Sequence, residues 1–283
     1  MNCLGWNCRG LGNPRTVRVL GDLVRDRKPD VLFLSETIST SNIIESLRLK
    51  FGFAQCFLVD RVGQSGGLAV FWKANVSCQI TEYSQNHIDI QFLENSVVTW
   101  RLSCFYGYPE RSRRKNSWDL IRQLADISQL PWLIFGDFND LLDKSDKWGR
   151  AVHPQSLMDG FRLALEDSFL SELDLCGGKF TWERCRGKPG WVRERLDRAF
   201  GTVSWLNKFP LCKLTVHHTS RSDHDPIQVE LVSTSISRRL FRFKFENVWL
   251  KDPNFVKEVK EFWSKIPVMH LLPKLLDATS FYG

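Results

Sequence analysis

The sequence lacks a cluster of cysteines and histidines at the spacing from which zinc sites and redox centres are built. It contains eight cysteines among 283 residues, but they stand singly and none belongs to a CxxC pair. Several lie within apolar runs, where a buried free thiol behaves as a small hydrophobic side chain. The spacing therefore argues against a zinc centre and a secreted disulfide framework, and it favours a reducing intracellular compartment.

Long apolar runs are also missing. No run of about 18 apolar residues is present to span a bilayer, and the N-terminus lacks the basic and then apolar segments of a signal peptide. We therefore expect a nuclear or cytoplasmic protein that is neither secreted nor bound to a membrane. The sequence shows no low-complexity tract and no internal repeat with a period of about 20–50 residues, so a repeat architecture is not expected.

The composition is that of a globular protein with a mild excess of positive charge. A hydrophobic content of 43% is ample for the core of one large α/β domain followed by a tail. The net charge of +7 favours an anionic partner. Residues 233–283 contain nine Lys or Arg and five Asp or Glu, so the tail carries +4 of this charge and residues 1–232 carry +3.

The hydrophobic pattern alternates between helical and extended segments. Two fully apolar runs, at 31–34 and 132–136, are typical of strands buried on both faces. A meander of strands is predicted over 53–106, a strand over 211–217, and a half-buried strand over 227–232. The predicted helices cover 14–24, 44–49, 118–127 and 157–165.

This order of elements predicts an α/β sandwich, in which two packed mixed sheets lie between layers of helices. The predicted domain covers residues 1–232. Residues 233–239 have the Ser, Thr and Arg content of a linker, and residues 240–265 are aromatic-rich, weakly helical and too short to form a core alone.

Polar side chains recur where the apolar runs end. Glu36 and Asp137 each close a fully apolar run, and burying their charge costs several kcal/mol unless it is paired or bound to a cation. Carboxylate and amide oxygens suit Mg²⁺, which keeps water ligands that a phosphate can replace. Taken singly, each acid is better explained as a helix cap or as half of a surface ion pair, and it is the recurrence of such residues that favours a cation site. The other polar residues at such positions are Asn7, Asn139, Asp197 and the run Ser222-Asp223-His224.

Two basic segments, 111–115 and 184–195, are predicted to be loops that contact phosphates on either side of a cleft. Arg113, Arg114 and Arg186 are the candidates for these contacts, and the alternative is that both loops are merely solvated. Trp191 lies inside the second loop and is the candidate for a base-step or minor-groove contact. Three further histidines, His153, His217 and His218, have no evident partner and are interpreted as structural or surface residues.

Six short motifs, in order, resemble the endonuclease/exonuclease/phosphatase superfamily, which shares the fold of deoxyribonuclease I. They are Trp6-Asn7, Leu34-Ser35-Glu36-Thr37, Phe105-Tyr106, Gly136-Asp137-Phe138-Asn139, Leu196-Asp197 and Ser222-Asp223-His224. Within that superfamily, the sequence motifs at 6–12, 65–69, 180–182 and 194–198 resemble the endonuclease domain of plant LINE-type (non-LTR) retrotransposons. Residues 241–263 resemble the connector that precedes reverse transcriptase in such elements. No polymerase motif follows, so we expect a truncated or detached element product, or a host gene derived from one.

The resemblance implies a role for each matching residue. Glu36 resembles the principal metal ligand, assisted by Asn7 and Asp223, and the metal would be Mg²⁺, with Mn²⁺ as a substitute. Asp137 resembles the residue that orients or deprotonates the attacking water, and His224 forms a dyad with Asp197. The remaining roles concern the phosphate and the substrate: Asn139 as a donor, Tyr106 or its neighbour Tyr108 as the contacting tyrosine, Thr181 as a residue on the phosphate side, and Ser222 as a support for the loop.

These roles imply a monomeric, Mg²⁺-dependent DNA endonuclease that uses no small-molecule cofactor. It would nick one strand and leave a 3′-hydroxyl that could prime reverse transcription. Arg9 departs from the pattern, because several relatives that cut abasic sites carry an acid there. The departure argues against abasic-site repair and against a tightly held second metal. An abasic-site endonuclease, a phosphoesterase of the same fold and a non-catalytic nucleic-acid-binding relic are the alternatives.

Overall fold

The computed structural model describes residues 1–63, 66–219 and 222–231. The predicted domain of 1–232 extends one residue beyond this part. The predicted tail of 233–283 lies outside the described residues, as does Ser65 of the 65–69 motif. Among the described residues, no helix is long and apolar enough to cross a membrane.

The described residues form five α-helices and sixteen strands. The helices are α1 (Pro14–Arg27), α2 (Ser41–Phe51), α3 (Arg114–Asp126), α4 (Gln155–Asp167) and α5 (Val203–Lys208). The strands are β1 (Asn2–Asn7), β2 (Val31–Ser35), β3 (Gln55–Val59), β4 (Leu68–Trp72), β5 (Cys78–Ser84), β6 (His87–Glu94), β7 (Val97–Tyr106), β8 (Trp132–Asp137), β9 (Lys147–Trp148), β10 (Leu170–Glu172), β11 (Leu175–Cys176), β12 (Trp182–Arg184), β13 (Val192–Glu194), β14 (Asp197–Thr202), β15 (Lys213–Val216) and β16 (Ile227–Glu230).

Two large mixed sheets and one small sheet are built from these strands. The first has the order β11-β15-β16-β1-β2-β4-β3, the second β10-β14-β8-β7-β6-β5, and the small antiparallel sheet β12-β13-β9. Each large sheet has a central parallel pair, β1 with β2 and β7 with β8. The carboxyl ends of a parallel pair lie at the same sheet edge, and a polar residue ends or directly follows each of these four strands.

The cores confirm the predicted α/β sandwich. One apolar cluster fills the space between the large sheets and joins Phe33 and Val229 of the first to Leu102 and Phe135 of the second. A second cluster packs β1, β2 and β4 against α1 and α2. A third packs the outer face of the second sheet against α3 and α4.

Local sequence explains where the helices begin and end. The side chain of Asn13 caps α1 by accepting from the backbone N–H of Arg15 at 2.9 Å, and Pro14 stands at the first turn as predicted. Helix α2 ends at Gly52, which has a left-handed φ of 71°. The helices predicted from spacing are all present, each a few residues longer than the pattern alone indicated.

Three predictions of local structure need correction. The block 53–106 is not one meander, because β3 and β4 pair in the first sheet whereas β5, β6 and β7 pair in the second. Strand β16 is buried on both faces, since Gln228 is buried and its Oε1 lies 2.7 Å from His217 Nε2. The segment 184–195 is a loop only over residues 185–191, because its two ends belong to a β-hairpin in which β13 pairs with both β12 and β9.

We expect Gly136→Ala to reduce the free energy of unfolding by about 2–4 kcal/mol. Gly136 has a φ of 140°, and a Cβ there would lie 2.1 Å from the carbonyl oxygen of Phe105 on the adjacent strand. Gly12→Ala is the matched control, because nothing lies within 4 Å of a Cβ at that position. Urea denaturation measures both variants, and equal stability for the two would contradict this account of the strand contact.

Candidate active site

The topology brings the polar motif residues to one edge of the sandwich. Asn7 ends β1 and Tyr106 ends β7, while Glu36 and Asp137 stand at the corresponding ends of β2 and β8. Strand β14 runs antiparallel to β8, so its first residue, Asp197, pairs with Asp137. His224 precedes β16, which is antiparallel to β1. Chain direction therefore places these residues at one end of their own sheet, and the hydrogen bond from Asn7 to Asp137 shows that the two ends meet.

The side-chain amide of Asn7 joins the two sheets. Its Nδ2 donates to Glu36 Oε1 at 3.1 Å and to Asp137 Oδ2 at 2.9 Å. Asn7 and Asp137 are each 1% exposed, whereas the side chain of Glu36 is 17% exposed. Both hydrogens of one amide nitrogen thus bind carboxylates that belong to different sheets.

Glu36 lies at the mouth of the site in a strained backbone conformation. Its φ of 50° is in the left-handed region, which is uncommon for a glutamate. The hydroxyl of Tyr106 donates to Glu36 Oε1 at 2.7 Å. Burial and the nearby charges of Glu36 and Asp137 raise the pKa of Tyr106, so the phenol stays protonated and remains a donor.

The segment Gly136-Asp137-Phe138-Asn139 places a carboxylate and an amide side by side. Asp137 Oδ1 accepts from the backbone N–H of Asn139 at 2.9 Å, and Asn139 has a left-handed φ of 53°. The Nδ2 of Asn139 donates one hydrogen to the carbonyl of Gly107 at 2.9 Å. The amide is thereby fixed in orientation beside Asp137.

His224 stands between two carboxylates. Its Nδ1 lies 2.9 Å from Asp197 Oδ2, and its Nε2 lies 3.7 Å from Asp137 Oδ2. Burial favours the neutral ring, but the charges of Asp197 and Asp137 outweigh it and raise the pKa of His224. Burial also raises the pKa of Asp137, an effect that the charge of His224 opposes and that of Asp197 reinforces.

Several residues hold this dyad in position. The indole of Trp6 donates to the carbonyl of His224 at 3.0 Å, and the hydroxyl of Ser222 donates to the carbonyl of Asn7 at 2.8 Å. Ser222 also accepts from the backbone N–H of His224 at 3.1 Å. Its contacts match the loop-supporting role that was expected of it.

Thr181 is buried behind the site and does not face the solvent from which a substrate would enter. It is 1% exposed, and its hydroxyl oxygen accepts from the backbone N–H groups of Leu196 and Asp197 at 3.0 and 2.9 Å. Direct contact of Thr181 with the substrate is therefore not expected, and its second-tier place on the phosphate side stays a prediction. Its hydroxyl orders the start of β14 and so the Asp197 carboxylate.

Two residues at the mouth were not assigned to the site from the sequence. Arg9 makes a close ion pair with Asp223, and its Nε lies 3.6 Å from Glu36 Oε2. The indole of Trp182 donates to Asp223 Oδ2 at 2.8 Å. Both stand in motifs that were singled out, Arg9 as a departure and Trp182 within Phe-Thr-Trp, but neither motif indicated contact with Asp223.

Two groups of ligand atoms could hold a divalent cation. In one, single ligand atoms of Asp137, Asp197 and His224 all lie within 4.8 Å of one another. This group is already satisfied internally, because His224 lies between the acids. In the other, Asp223 Oδ1 is buried and has no hydrogen-bond partner among the described residues. A buried carboxylate oxygen of that kind is costly, so the oxygen set of Glu36, Asn7 and Asp223 fits Mg²⁺ better.

The predicted phosphate-contacting arginines differ in exposure. Arg114 is excluded from such a role, because it is 9% exposed, begins α3 and pairs with Asp140 at 3.1 Å. Arg113 is exposed and stacks on the ring of Tyr108 at 4.0 Å, whereas Tyr106 and not Tyr108 reaches Glu36. Arg186 is exposed on the hairpin beside Glu183. The segment 111–115 is a helical turn leading into α3 rather than a loop.

Trp191 has a partner, and so do the three histidines that were interpreted as structural or surface residues. Trp191 packs edge-to-face on Trp148 with ring centroids 4.9 Å apart, at the base of the hairpin turn. The interpretation that nothing pairs the histidines is wrong. His153 lies 3.4 Å from Asp140, His217 lies 2.7 Å from Gln228, and His218 lies 2.7 Å from Asp225.

Comparisons with known proteins agree with this geometry. A family model described as the Endonuclease/Exonuclease/phosphatase family matches residues 4–224, most of the part that the structure describes. No curated protein matches the sequence significantly.

Several solved structures share the fold. The endonuclease domain of TRAS1, a telomere-specific non-LTR retrotransposon, has a TM-score of 0.62 at 14% identity. A 3′–5′ exonuclease from Neisseria meningitidis has a TM-score of 0.63 at 18% identity, and an AP endonuclease from Archaeoglobus fulgidus 0.62 at 14%. Each match covers 82% of this chain and 99% of the other. Identities this low show the fold alone.

We expect Asp197→Asn to lower the pKa of His224. Burial of the ring lowers this pKa, and the substitution removes one of the carboxylate charges that raise it. Imidazole NMR titration measures the shift. Asp225→Asn is the control, since Asp225 contacts His218 and is next to His224 in sequence. An unchanged His224 titration in Asp197→Asn would rule out the dyad as the source of the raised pKa.

Proposed function

The chain belongs to the endonuclease/exonuclease/phosphatase family, and we propose that it is a Mg²⁺-dependent DNA endonuclease. The proposed reaction is hydrolysis of one phosphodiester bond, which nicks a single strand. The observation that carries this proposal is the meeting of Glu36, Asp137 and His224 around the amide of Asn7. These residues lie far apart in sequence and come from both sheets.

Asp137 is proposed to orient and deprotonate the attacking water. A general base works best when its pKa lies near the working pH, and burial raises the pKa of this carboxyl towards that range. Asn7 and the backbone of Asn139 hold both carboxylate oxygens by hydrogen bonds, so the base is fixed in orientation. The water would lie against the Oδ2 edge, towards His224.

His224, Tyr106 and Asn139 are proposed to stabilise the negative charge that gathers on the phosphate. The raised pKa of His224 keeps its ring cationic, and Asp197 holds the ring in place through Nδ1, which leaves Nε2 for the substrate. The protonated phenol of Tyr106 and the second amide hydrogen of Asn139 are further donors. Removing one donor of this kind costs on the order of 100–1000-fold in rate.

The metal, when bound, would supply a Lewis acid that neutralises charge on the phosphate oxygens. Glu36 would be its principal ligand, assisted by Asn7 and Asp223. Glu36 is suited to this role because its carboxylate is partly exposed while Asn7 and Tyr106 hold one of its oxygens.

DNA is the proposed substrate because cationic and aromatic side chains, fully exposed at Arg113 and Arg186 and partly exposed at Arg193 and Trp191, flank the site. Arg113 lies on one side, after β7, and the hairpin with Arg186, Arg193 and Trp191 lies on the other, beside His224. The likeness to a retrotransposon endonuclease domain supports an origin in such an element, in which the nick leaves a 3′-hydroxyl that can prime reverse transcription. The resemblance to plant LINE elements stays a prediction.

The alternatives share the fold, and the assay separates them. Solved structures with this fold include a Neisseria 3′ phosphatase bound to a product DNA hairpin and an AP endonuclease. A phosphoesterase would act on a 3′-phosphate, and an abasic-site enzyme would prefer an abasic duplex. A non-catalytic relic would bind DNA without cutting it.

We expect the purified protein to convert supercoiled plasmid to the open-circular form with Mg²⁺, and EDTA to stop the reaction. Asp137→Ala and His224→Ala should each reduce the nicking rate by at least about 100-fold. Parallel assays on plain, abasic and 3′-phosphorylated duplexes identify the preferred substrate.

His218→Ala is the matched control, because His218 pairs with Asp225 outside the dyad and is 67% exposed at its side chain. It should nick like the wild type. Near-wild-type nicking by folded Asp137→Ala or His224→Ala would reject the assignment, and DNA binding without cutting by the wild type would favour the relic.

We expect Arg113→Ala and Arg186→Ala to weaken DNA binding similarly for all sequences, because a contact to phosphate carries no base information. Each should reduce the slope of log affinity against log salt by about 1. Fluorescence anisotropy at several salt concentrations measures this. Arg25→Ala on α1 removes the same charge away from the site and should leave the slope unchanged.

A further inference from the structure

One arginine contacts every residue of the proposed metal site. The guanidinium of Arg9 pairs closely with Asp223 through Nη1, and its Nε lies 3.6 Å from Glu36 Oε2. The backbone N–H of Arg9 donates to Asn7 Oδ1 at 3.3 Å. A single positive charge therefore already stands between the two carboxylates that would bind a divalent cation.

The backbone at Arg9 is held, whereas its side chain is half exposed. The turn after β1 bonds to the turn after β2, since Cys8 N donates to the carbonyl of Ser35 at 3.1 Å and Gly10 N to that of Glu36 at 2.8 Å. Arg9 itself has a left-handed φ of 47°. The guanidinium is 52% exposed at the side-chain level, so it can leave the acids by rotation without a change in the backbone.

The two acids are held without Arg9. Asp223 Oδ2 accepts from the indole of Trp182 at 2.8 Å. Glu36 Oε1 accepts from Asn7 at 3.1 Å and from Tyr106 at 2.7 Å. Loss of the guanidinium would leave both carboxylates in place, with their negative charge no longer neutralised.

We propose that Arg9 is a resident counter-cation that competes with the divalent metal for Glu36 and Asp223. In the metal-free protein it prevents the two carboxylates from repelling each other. A divalent cation at Glu36 and Asp223 would be repelled by this guanidinium, which must move away from the two carboxylates before the metal binds, so the protein gives up part of its divalent affinity. This inference rests on the proposed function, because it takes the metal to bind at Glu36.

The test is the affinity of the full chain for Mn²⁺ without DNA, measured by paramagnetic resonance of the unbound ion, and for Mg²⁺ by calorimetry. Arg9→Met keeps the length of the side chain and removes its charge, and we expect it to bind both ions at least about tenfold more tightly. Arg9→Lys keeps the charge and should bind like the wild type.

Arg25→Met is the matched control, because Arg25 also bridges two acids, Asp22 at 2.9 Å and Asp26 at 3.2 Å, on α1. It lowers the net charge equally and should leave metal affinity unchanged. Thermal unfolding of the metal-free variants reports any purely structural role of Arg9. The inference is overturned if Arg9→Met binds the metal no more tightly than the wild type does. It is also overturned if neither protein binds the metal measurably.

Glu36→Gln separates failure of this inference from failure of the proposed function. If Glu36→Gln binds Mn²⁺ as the wild type does, the metal site at Glu36 is wrong, and the role of Arg9 is overturned with it. If Glu36→Gln loses affinity while Arg9→Met stays at the wild-type value, the metal site stands and only the competition is rejected.

Discussion

The hydrogen bonds of the Asn7 amide are the interaction on which the candidate site depends. One nitrogen donates to Glu36, which follows the first sheet, and to Asp137, which ends a strand of the second. Two carboxylates near each other would repel, and burying Asp137 would be costly without partners. The amide offsets part of this cost and holds the two carboxylates next to each other, so that the remaining polar residues have a defined place around it.

Charge balance around that amide is achieved in two ways. Deep in the site, the imidazole of His224 lies between Asp197 and Asp137. At the mouth, the guanidinium of Arg9 lies between Asp223 and Glu36. His224 is 4% exposed and is held by hydrogen bonds from Trp6 and to Ser222. The side chain of Arg9 is half exposed, so it can be displaced. The arrangement separates a permanent cation from an exchangeable one.

Sequence alone predicted the family and the sandwich fold, because both depend on local signals. Apolar runs identify the buried strands, and a polar residue at the end of a parallel strand must lie at the sheet edge, which is why Glu36 and Asp137 could be selected. What sequence missed depends on contacts between distant segments. Arg114 is buried because Asp140 and His153 pair with it, and nothing near 114 indicates this. The hairpin at 182–194 depends on pairing with Trp148, and the bond of Arg9 to Asp223 spans more than 200 positions.

We propose that one phosphate binds between Glu36 on one side and Asp137 with His224 on the other. Anomalous diffraction from crystals of the protein with Mn²⁺ and a DNA duplex tests it most directly. The account predicts one ion on Glu36, beside Asn7 and Asp223, with a phosphate oxygen within hydrogen-bond reach of His224 Nε2. An ion held instead among Asp137, Asp197 and His224, or a phosphate bound away from these side chains, would contradict it.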